Sequence, residues 1–470
     1  MSSFSLLSFS LCLLLLCRVS QAQFGSSQES PFQSSRRRSV STRDECRMER
    51  LNALEPTRTV RSEAGITDYF DEDNEQFRCA GVSAIRRVIE PRGLLLPSMS
   101  NAPRLVYIVQ GMGLVGLVMP GCPETFQSFQ RSEQYEREEG ERHRRSRDEH
   151  QKVYQFQEGD VLAVPDGFAY WCYNNGENPV VAITVLDTGN DANQLDRSHR
   201  QFLLAGRQEE GRQRYRRGES IKENILRGFS TELLAAAFGV NMELARKLQC
   251  RDDTRGEIVR AENGLQVLRP SRMEEEEREE SRRKNGLEET YCSMKIKQNI
   301  GDPRRADVFN PRGGRITTLN SEKLPILRFI QMSAERVVLY RNAMVSPHWN
   351  INAHSIMYCT GGRGRVEVAD DKGETAFDGE LRQGQLLIVP QNYAVSERAG
   401  SEGFQFVSIK TSDRAMVSAI VGKTSALRGM PEEVLMNSYR ISRDEARRVK
   451  LNRGDEVAIF TPRRESRAEA

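Results

Sequence analysis

An internal duplication restricts the fold of this chain more than any other feature. Tyr107-Ile-Val-Gln-Gly111-Met-Gly113 is echoed by Tyr358-Cys-Thr-Gly-Gly362-Arg-Gly364, offset by 251. Gly159-Asp-Val-Leu-Ala-Val-Pro165 is echoed by Gly384-Gln-Leu-Leu-Ile-Val-Pro390, offset by 225. Glu232 to Leu248 is echoed by Glu433 to Val449, offset by 201, with Leu234, Phe238, Val240, Ala245 and Arg246 answered by Leu435, Tyr439, Ile441, Ala446 and Arg447. Three echoes in one order define two homologous halves.

The falling offsets place extra residues in the first half. Gln127–Gln151 and Gly206–Gly218 are rich in Arg, Glu, Gln and Ser and poor in aliphatic residues. Such stretches bury too little apolar surface to offset ordering entropy, so they read as mobile loops. Arg269–Asn285, with Glu274–Glu277 inside it, reads as a linker between the halves. Segments 23–43 and 462–470 read as disordered.

Within each half, short β-branched runs alternate with Gly and Pro. Leu105–Val109, Val161–Val164, Val180–Val185, Arg336–Tyr340, Leu386–Val389 and Phe404–Ile409 predict a β-sandwich or barrel. The period then changes: Leu233, Leu234, Ala237, Phe238, Leu244 and Leu248 have helical spacing, with Thr231 and Ser442 placed as N-caps. The fold class is mainly β, two barrels each followed by a small helical unit. The expected organisation is 1–22 leader, 23–43 tail, 44–268 first domain, 269–285 linker, 286–461 second domain and 462–470 tail.

Charge and cysteine set the context. Of 470 residues, 69 are Lys or Arg and 66 Asp or Glu, a net +3, so no overall field recruits nucleic acid or membrane. Residues 286–470 carry 28 basic and 23 acidic residues, so a basic part follows an acidic one. The Arg clusters at 36–38 and 213–217 have acidic runs nearby and little aromatic interleaving, which fits solvated loops better than a nucleic-acid surface. Leu6–Cys17 is apolar but too short to span a bilayer, and Ser20-Gln21-Ala22 offers small residues for signal peptidase. Seven cysteines then remain in an oxidising compartment, so at least one thiol stays unpaired.

Gly159, Pro165, Gly167 and Asn174 resemble the second motif of the cupin superfamily, G-x5-P-x-G-x2-H-x3-N, with Tyr170 at the His position. In the second half Gly384 and Pro390 match, while Asn392, Val395 and Ala399 take the Gly, His and Asn positions. The resemblance implies paired jelly-roll barrels. Laid on Gly362, the first motif, which carries the H-x-H and Glu metal ligands, places His348, Asn350 and Ser355 at those positions, with His354 one residue from the last. Laid on Gly111 it places Pro97, Met99 and Arg104 there. Neither half holds the three His and carboxylate of a cupin metalloenzyme. His143, His150 and His199 lie in hydrophilic stretches read as outside the barrels. Catalytic residues, cofactor and metal are therefore expected to be absent. There is no G-x-S-x-G elbow, and Gly361–Gly364 reads as a turn between strands, not a phosphate loop.

Asn285-Gly-Leu-Glu-Glu-Thr-Tyr-Cys292 resembles the processing junction of legumin-type (11S) seed globulins. That resemblance implies a seed storage protein, cut between Asn285 and Gly286 by a vacuolar asparagine-specific endopeptidase, in a protein storage vacuole. It implies a homotrimer before cleavage and a hexamer after it. It also implies a Cys46–Cys79 bridge within the acidic chain and a Cys122–Cys292 bridge joining acidic to basic. Closing such a loop stabilises by about 3–5 kcal/mol in the chain-entropy model. Spacing alone leaves the connectivity open. Cys172 and Cys359 read as buried thiols, and Cys250 is left over. The rival readings are a metal-dependent bicupin enzyme, a small-ligand-binding bicupin and a vicilin-type globulin.

Overall fold

Tyr107 and Tyr358 occupy one position in two copies of the same sheet. Tyr107 is registered against Ile183 and Val161, and Tyr358 against Val407 and Leu386. Each echoed strand is entered through a glycine of positive φ. Gly159 (84°) donates its N–H to the Ile108 carbonyl, and Gly384 (89°) to that of Cys359. Those acceptors each follow the matching tyrosine, so the repeated Gly and Tyr mark one hydrogen-bonded unit built twice. Glycine is required there because its backbone enters the left-handed region without steric cost.

The computed structural model describes residues 48–122, 153–208, 222–250, 253–265, 292 and 294–461. The leader, the 23–43 and 462–470 tails, Gln127–Gln151, the 269–285 linker and both Arg clusters lie outside them. In the first half a seven-stranded sheet runs Arg58–Ser62, Gly65–Tyr69, Val82–Ile89, Val180–Asp187, Arg104–Gln110, Asp160–Val164 and Lys297–Asn299. A second sheet runs Gln201–Leu203, Gly93–Ser100, Ala169–Tyr173, Met112–Val118 and Val153–Gln157, with Ile258–Arg260 also on Gly93–Ser100. In the second half the long strands Ser355–Ala369 and Ala394–Lys410 gather its strands into a single sheet of eleven.

Gly361–Gly364 is not a turn. It lies within Ser355–Ala369, where the register to Ala394–Lys410 slips twice. At Gly362 (φ 69°) a Cβ would sit 2.3 Å from the Gly403 carbonyl oxygen, so glycine is needed for a bulge that bends the strand. The other large departure is at Gly206–Gly218, whose start is structured. Arg207–Gln208 pairs with Lys222–Glu223, and the buried Gln208 amide donates to Tyr69 Oη at 2.5 Å.

The helical units also repeat. Thr231–Phe238 and Met242–Leu248 answer Glu432–Tyr439 and Arg443–Leu451. Ser230, not Thr231, caps the first helix by accepting from Leu233 N–H. Ser442 caps the last in a reciprocal capping box with Glu445. Leu234, Ala245, Leu435 and Ala446 are buried, whereas Leu233, Phe238, Leu244, Val434, Tyr439, Val449 and Leu451 are exposed.

Each half completes the other. An open strand edge leaves backbone groups unpaired, and here the two equivalent edges are covered crosswise. Lys297–Asn299, from beyond the linker, pairs with Leu162, Val161 and Asp160, and Ala163 N–H reaches the Ile296 carbonyl at 2.8 Å. In return Leu54, from the start of the first half, exchanges two backbone hydrogen bonds with Leu386, at 2.7 and 2.9 Å. Met48 and Leu51 enter the second-half core, while Ile296 and Ile300 enter the first. One apolar cluster also runs through both barrels, from Leu105, Ile183 and Val161 to Ile356, Ile388 and Val407. A chain opened within 266–290 and then reduced without denaturant is therefore expected to elute as one species in size-exclusion chromatography. Separate elution of the two pieces would contradict this arrangement.

Candidate functional site

Strand register decides which side chains face the barrel interiors. Ser98 is opposite Tyr170, and His348 is opposite Val395. The residues equivalent to His348 and Asn350 are thus Ser98 and Ser100, both buried. Pro97 and Met99, laid there by motif spacing, are one residue out and only half-buried. Arg104 and Ser355 are equivalent, registered against Val164 and Val389. The first barrel thus offers Ser98, Ser100, Arg104 and Tyr170, and the second His348, Asn350, Ser355 and Val395.

This donor set does not fit a divalent metal. Hydroxyls, an amide, a guanidinium and one imidazole supply no carboxylate or thiolate to the ion. Among the described residues no group of three His, Cys, Asp or Glu is placed to hold one. His348 Nδ1 lies 2.9 Å from the Ser346 carbonyl, and burial, reinforced by Lys410, favours its neutral form. His354 Nδ1 accepts from Gln391 N–H at 3.2 Å, so this ring serves a loop. His199 lies in the hydrophilic segment between strands Val180–Asp187 and Gln201–Leu203. It is buried, with Nδ1 3.7 Å from Glu72. His143 and His150 lie outside the described residues.

The first interior is instead a polar network that motif spacing did not indicate. Glu257, carried in just ahead of strand Ile258–Arg260, accepts from Thr67 Oγ1 at 2.5 Å and from Gln201 Nε2 at 3.1 Å. It faces Arg87 Nε at 3.4 Å. Burial alone would raise the Glu257 pKa, but Arg87 and the Thr67 and Gln201 hydrogen bonds outweigh it and hold the group ionised. Burial likewise opposes the Arg87 charge, yet Tyr170, Glu257 and Tyr69 raise its pKa on balance. Arg104 has no such compensation, and burial followed by the like charge of Arg87 pulls it below the usual arginine range against the opposing pull of Tyr170.

In the second interior Glu397, two residues beyond Val395, is buried with Oε2 unpartnered. Burial and the neighbouring Glu335 raise its pKa to about 8 against the opposing pull of Lys410, so it is neutral in acid. Lys410 pairs with Glu335 at 3.3 Å.

The cysteines carry the covalent chemistry. Cys122 and Cys292 are joined by a disulfide, with Cα atoms 5.7 Å apart. Cys79 is also disulfide-bonded, and its expected partner Cys46 lies outside the described residues. Cys172, Cys250 and Cys359 are unbridged. Burial pushes the Cys172 thiol up to about 12 and that of Cys359 to about 11, which leaves both unreactive. Asn285 and Gly286 lie outside the described residues.

Two interlocked jelly-roll barrels, each matching a cupin repeat, define a bicupin. The Cupin family model matches residues 51–210 and 298–447. The chain is 92% identical to "Cocosin 1" of Cocos nucifera over 470 residues, covering 100% of each. It is 52% identical to "Glutelin type-A 3" of Oryza sativa subsp. japonica, covering 96% of this chain and 95% of that one. The crystal structure of procruciferin, an 11S globulin from Brassica napus, superposes with a TM-score of 0.78 at 40% identity, covering 90% of this chain and 100% of that one. The chain belongs to the cupin family and, within it, to the legumin-type (11S) seed storage globulins. Its function is that of a nutrient reservoir, and it is not an enzyme.

Two predictions follow from the interiors. Glu257→Gln leaves the buried Arg87 guanidinium without its counter-charge. It is expected to lower the unfolding free energy by about 3–5 kcal/mol in urea titration, and a change under about 1 kcal/mol would count against the network. For Glu397 the folded pKa is raised, so its neutral form contributes stability that is full below the ordinary carboxylate range and lost as pH rises through about 8. The urea midpoint of Glu397→Gln relative to the unsubstituted protein should therefore climb from about pH 5 to about pH 8. A difference independent of pH would remove Glu397 from the account.

Proposed function

We propose that the store is laid down as a secreted precursor, with residues 1–22 as its leader, and cut after Asn285 in the protein storage vacuole. The asparagine-specific endopeptidase of that compartment is the proposed partner. Cys122–Cys292 then joins the acidic chain to the basic one, and Cys46–Cys79 closes a loop within the acidic chain. Germination proteases later hydrolyse the product for its nitrogen, which is concentrated in 58 Arg residues against 11 Lys.

The observation that carries this reading is the position of Cys292. It follows the Asn285–Gly286 bond by seven residues and is bridged to Cys122. A bridge placed so close behind a cut holds the new terminus to the other piece. The crosswise strands around Leu54 and Lys297–Asn299 do the same without covalent bonds.

The exposed apolar faces support the assembly part. Leu233 and Phe238 on the first helical unit, and Val434 and Tyr439 on the second, are equivalent residues at two different places in one chain. Contact between the first face of one copy and the second face of the next is head-to-tail, and such contacts close into rings. Where the rotation closes after three copies the ring is the proposed precursor homotrimer, and the proposed hexamer is two such rings stacked after cleavage.

Denaturing gels of the tissue protein test the reading. One band without reductant is expected to resolve into a larger acidic and a smaller basic band with it, the latter beginning at Gly286. After endopeptidase treatment Asn285→Gln should stay uncut on the reducing gel and elute as a trimer in native size-exclusion chromatography. A single band under reduction, or hexamers from uncut Asn285→Gln, would overturn the proposal.

A further inference from the structure

The interior of the first barrel holds two buried guanidiniums, Arg87 and Arg104, and Glu257 serves only the first of them. Arg104 is 1% exposed, yet its Nε and Nη2 have no hydrogen-bond partner. Its Cζ lies 4.1 Å from the centre of the Tyr170 ring, so the ring engages the guanidinium while the Nε–Nη2 edge has no partner. Nε and Nη2 lie along a single edge whose two N–H bonds run parallel, the fork that takes a carboxylate bidentately.

The chain uses this fork elsewhere in that way. Arg255 donates through Nε and Nη2 to Asp253 at 3.0 and 2.9 Å, and Arg365 to Asp378 at 2.7 and 2.6 Å. Arg200 meets Asp196 along the same edge. Those forks are at the surface and are filled by their own chain. The fork of Arg104 is buried and unfilled. A charge removed from water with no partner is strongly unfavourable, and a bound counter-ion removes that cost.

The setting narrows the class of ion. Leu186 is registered beside Arg104, and with Val60, Tyr69, Ile85 and Ala102 it forms an apolar cluster. A planar pair of oxygens suits the fork, and an apolar body suits these neighbours. We propose that the free edge of Arg104 binds the carboxylate of a small organic acid inside the first barrel. The position that would carry a ligand for a cation in a metal-binding relative thus carries an anion-binding group here. The site is independent of whether and where the chain is cut.

The test uses the intact purified protein and an Arg104→Lys variant, which keeps the charge but removes the fork. After exhaustive dialysis into chloride buffer, each is unfolded in acid and the released low-mass carboxylates are quantified by mass spectrometry. A second portion of each is titrated calorimetrically with sodium acetate, and with sodium phosphate at matched ionic strength. The expected result is one carboxylate per protomer, either released or taken up as acetate, with release abolished or affinity reduced about tenfold or more in Arg104→Lys. No carboxylate released together with no acetate uptake by the unsubstituted protein overturns the proposal, even if the variant does not fold. Equal binding by the variant, or uptake of phosphate in preference to acetate, overturns it as well.

Discussion

The outer edges of strands Asp160–Val164 and Leu386–Val389 are equivalent, and each is closed by chain from the opposite half. This crosswise closure links the features of the molecule. It turns two homologous barrels into one folding unit, because neither has a complete sheet alone. It continues into the apolar cluster shared by Leu105, Ile183, Ile356 and Val407. It also places the Cys122–Cys292 bridge beside a strand that already holds the post-linker segment in place. The disulfide therefore secures a junction that backbone hydrogen bonds and burial have made.

That construction suits a store. A nutrient reservoir must persist until it is needed and then yield. The buried thiols of Cys172 and Cys359 are held in their unreactive form. Burial and the neighbouring Glu335 keep Glu397 neutral in acid. One interior is organised around Glu257, Arg87 and Arg104, the other around the Lys410–Glu335 pair with Glu397 beside it.

Much of this was legible in the sequence because it depends on local geometry. The echoed glycines mark positions of positive φ, and the echoed tyrosines mark the strand each glycine feeds. Helical spacing revealed the units around Leu234 and Leu435, though the cap was assigned one residue late. What escaped depends on register between distant segments. A shift of one residue in a strand exchanges its two faces, so motif spacing gave Pro97 and Met99 where Ser98 and Ser100 point inward. Arg87 meets Gln201 and Glu257 only because strands more than a hundred residues apart are neighbours, and nothing local to any of them announces it. Gly361–Gly364 was misplaced for the same reason: a glycine-rich context does not tell which strand the segment lies against.

Hydrogen exchange on protein opened within 266–290 and reduced, but kept in native buffer, tests the crosswise closure most directly. The amides of Leu54, Leu386 and Ala163 donate across the halves. They should remain as protected as in the intact chain and exchange only when the whole molecule unfolds. Rapid exchange at these three amides, with the barrel cores still protected, would show that the halves are held by the linker and the disulfide, and would contradict the account.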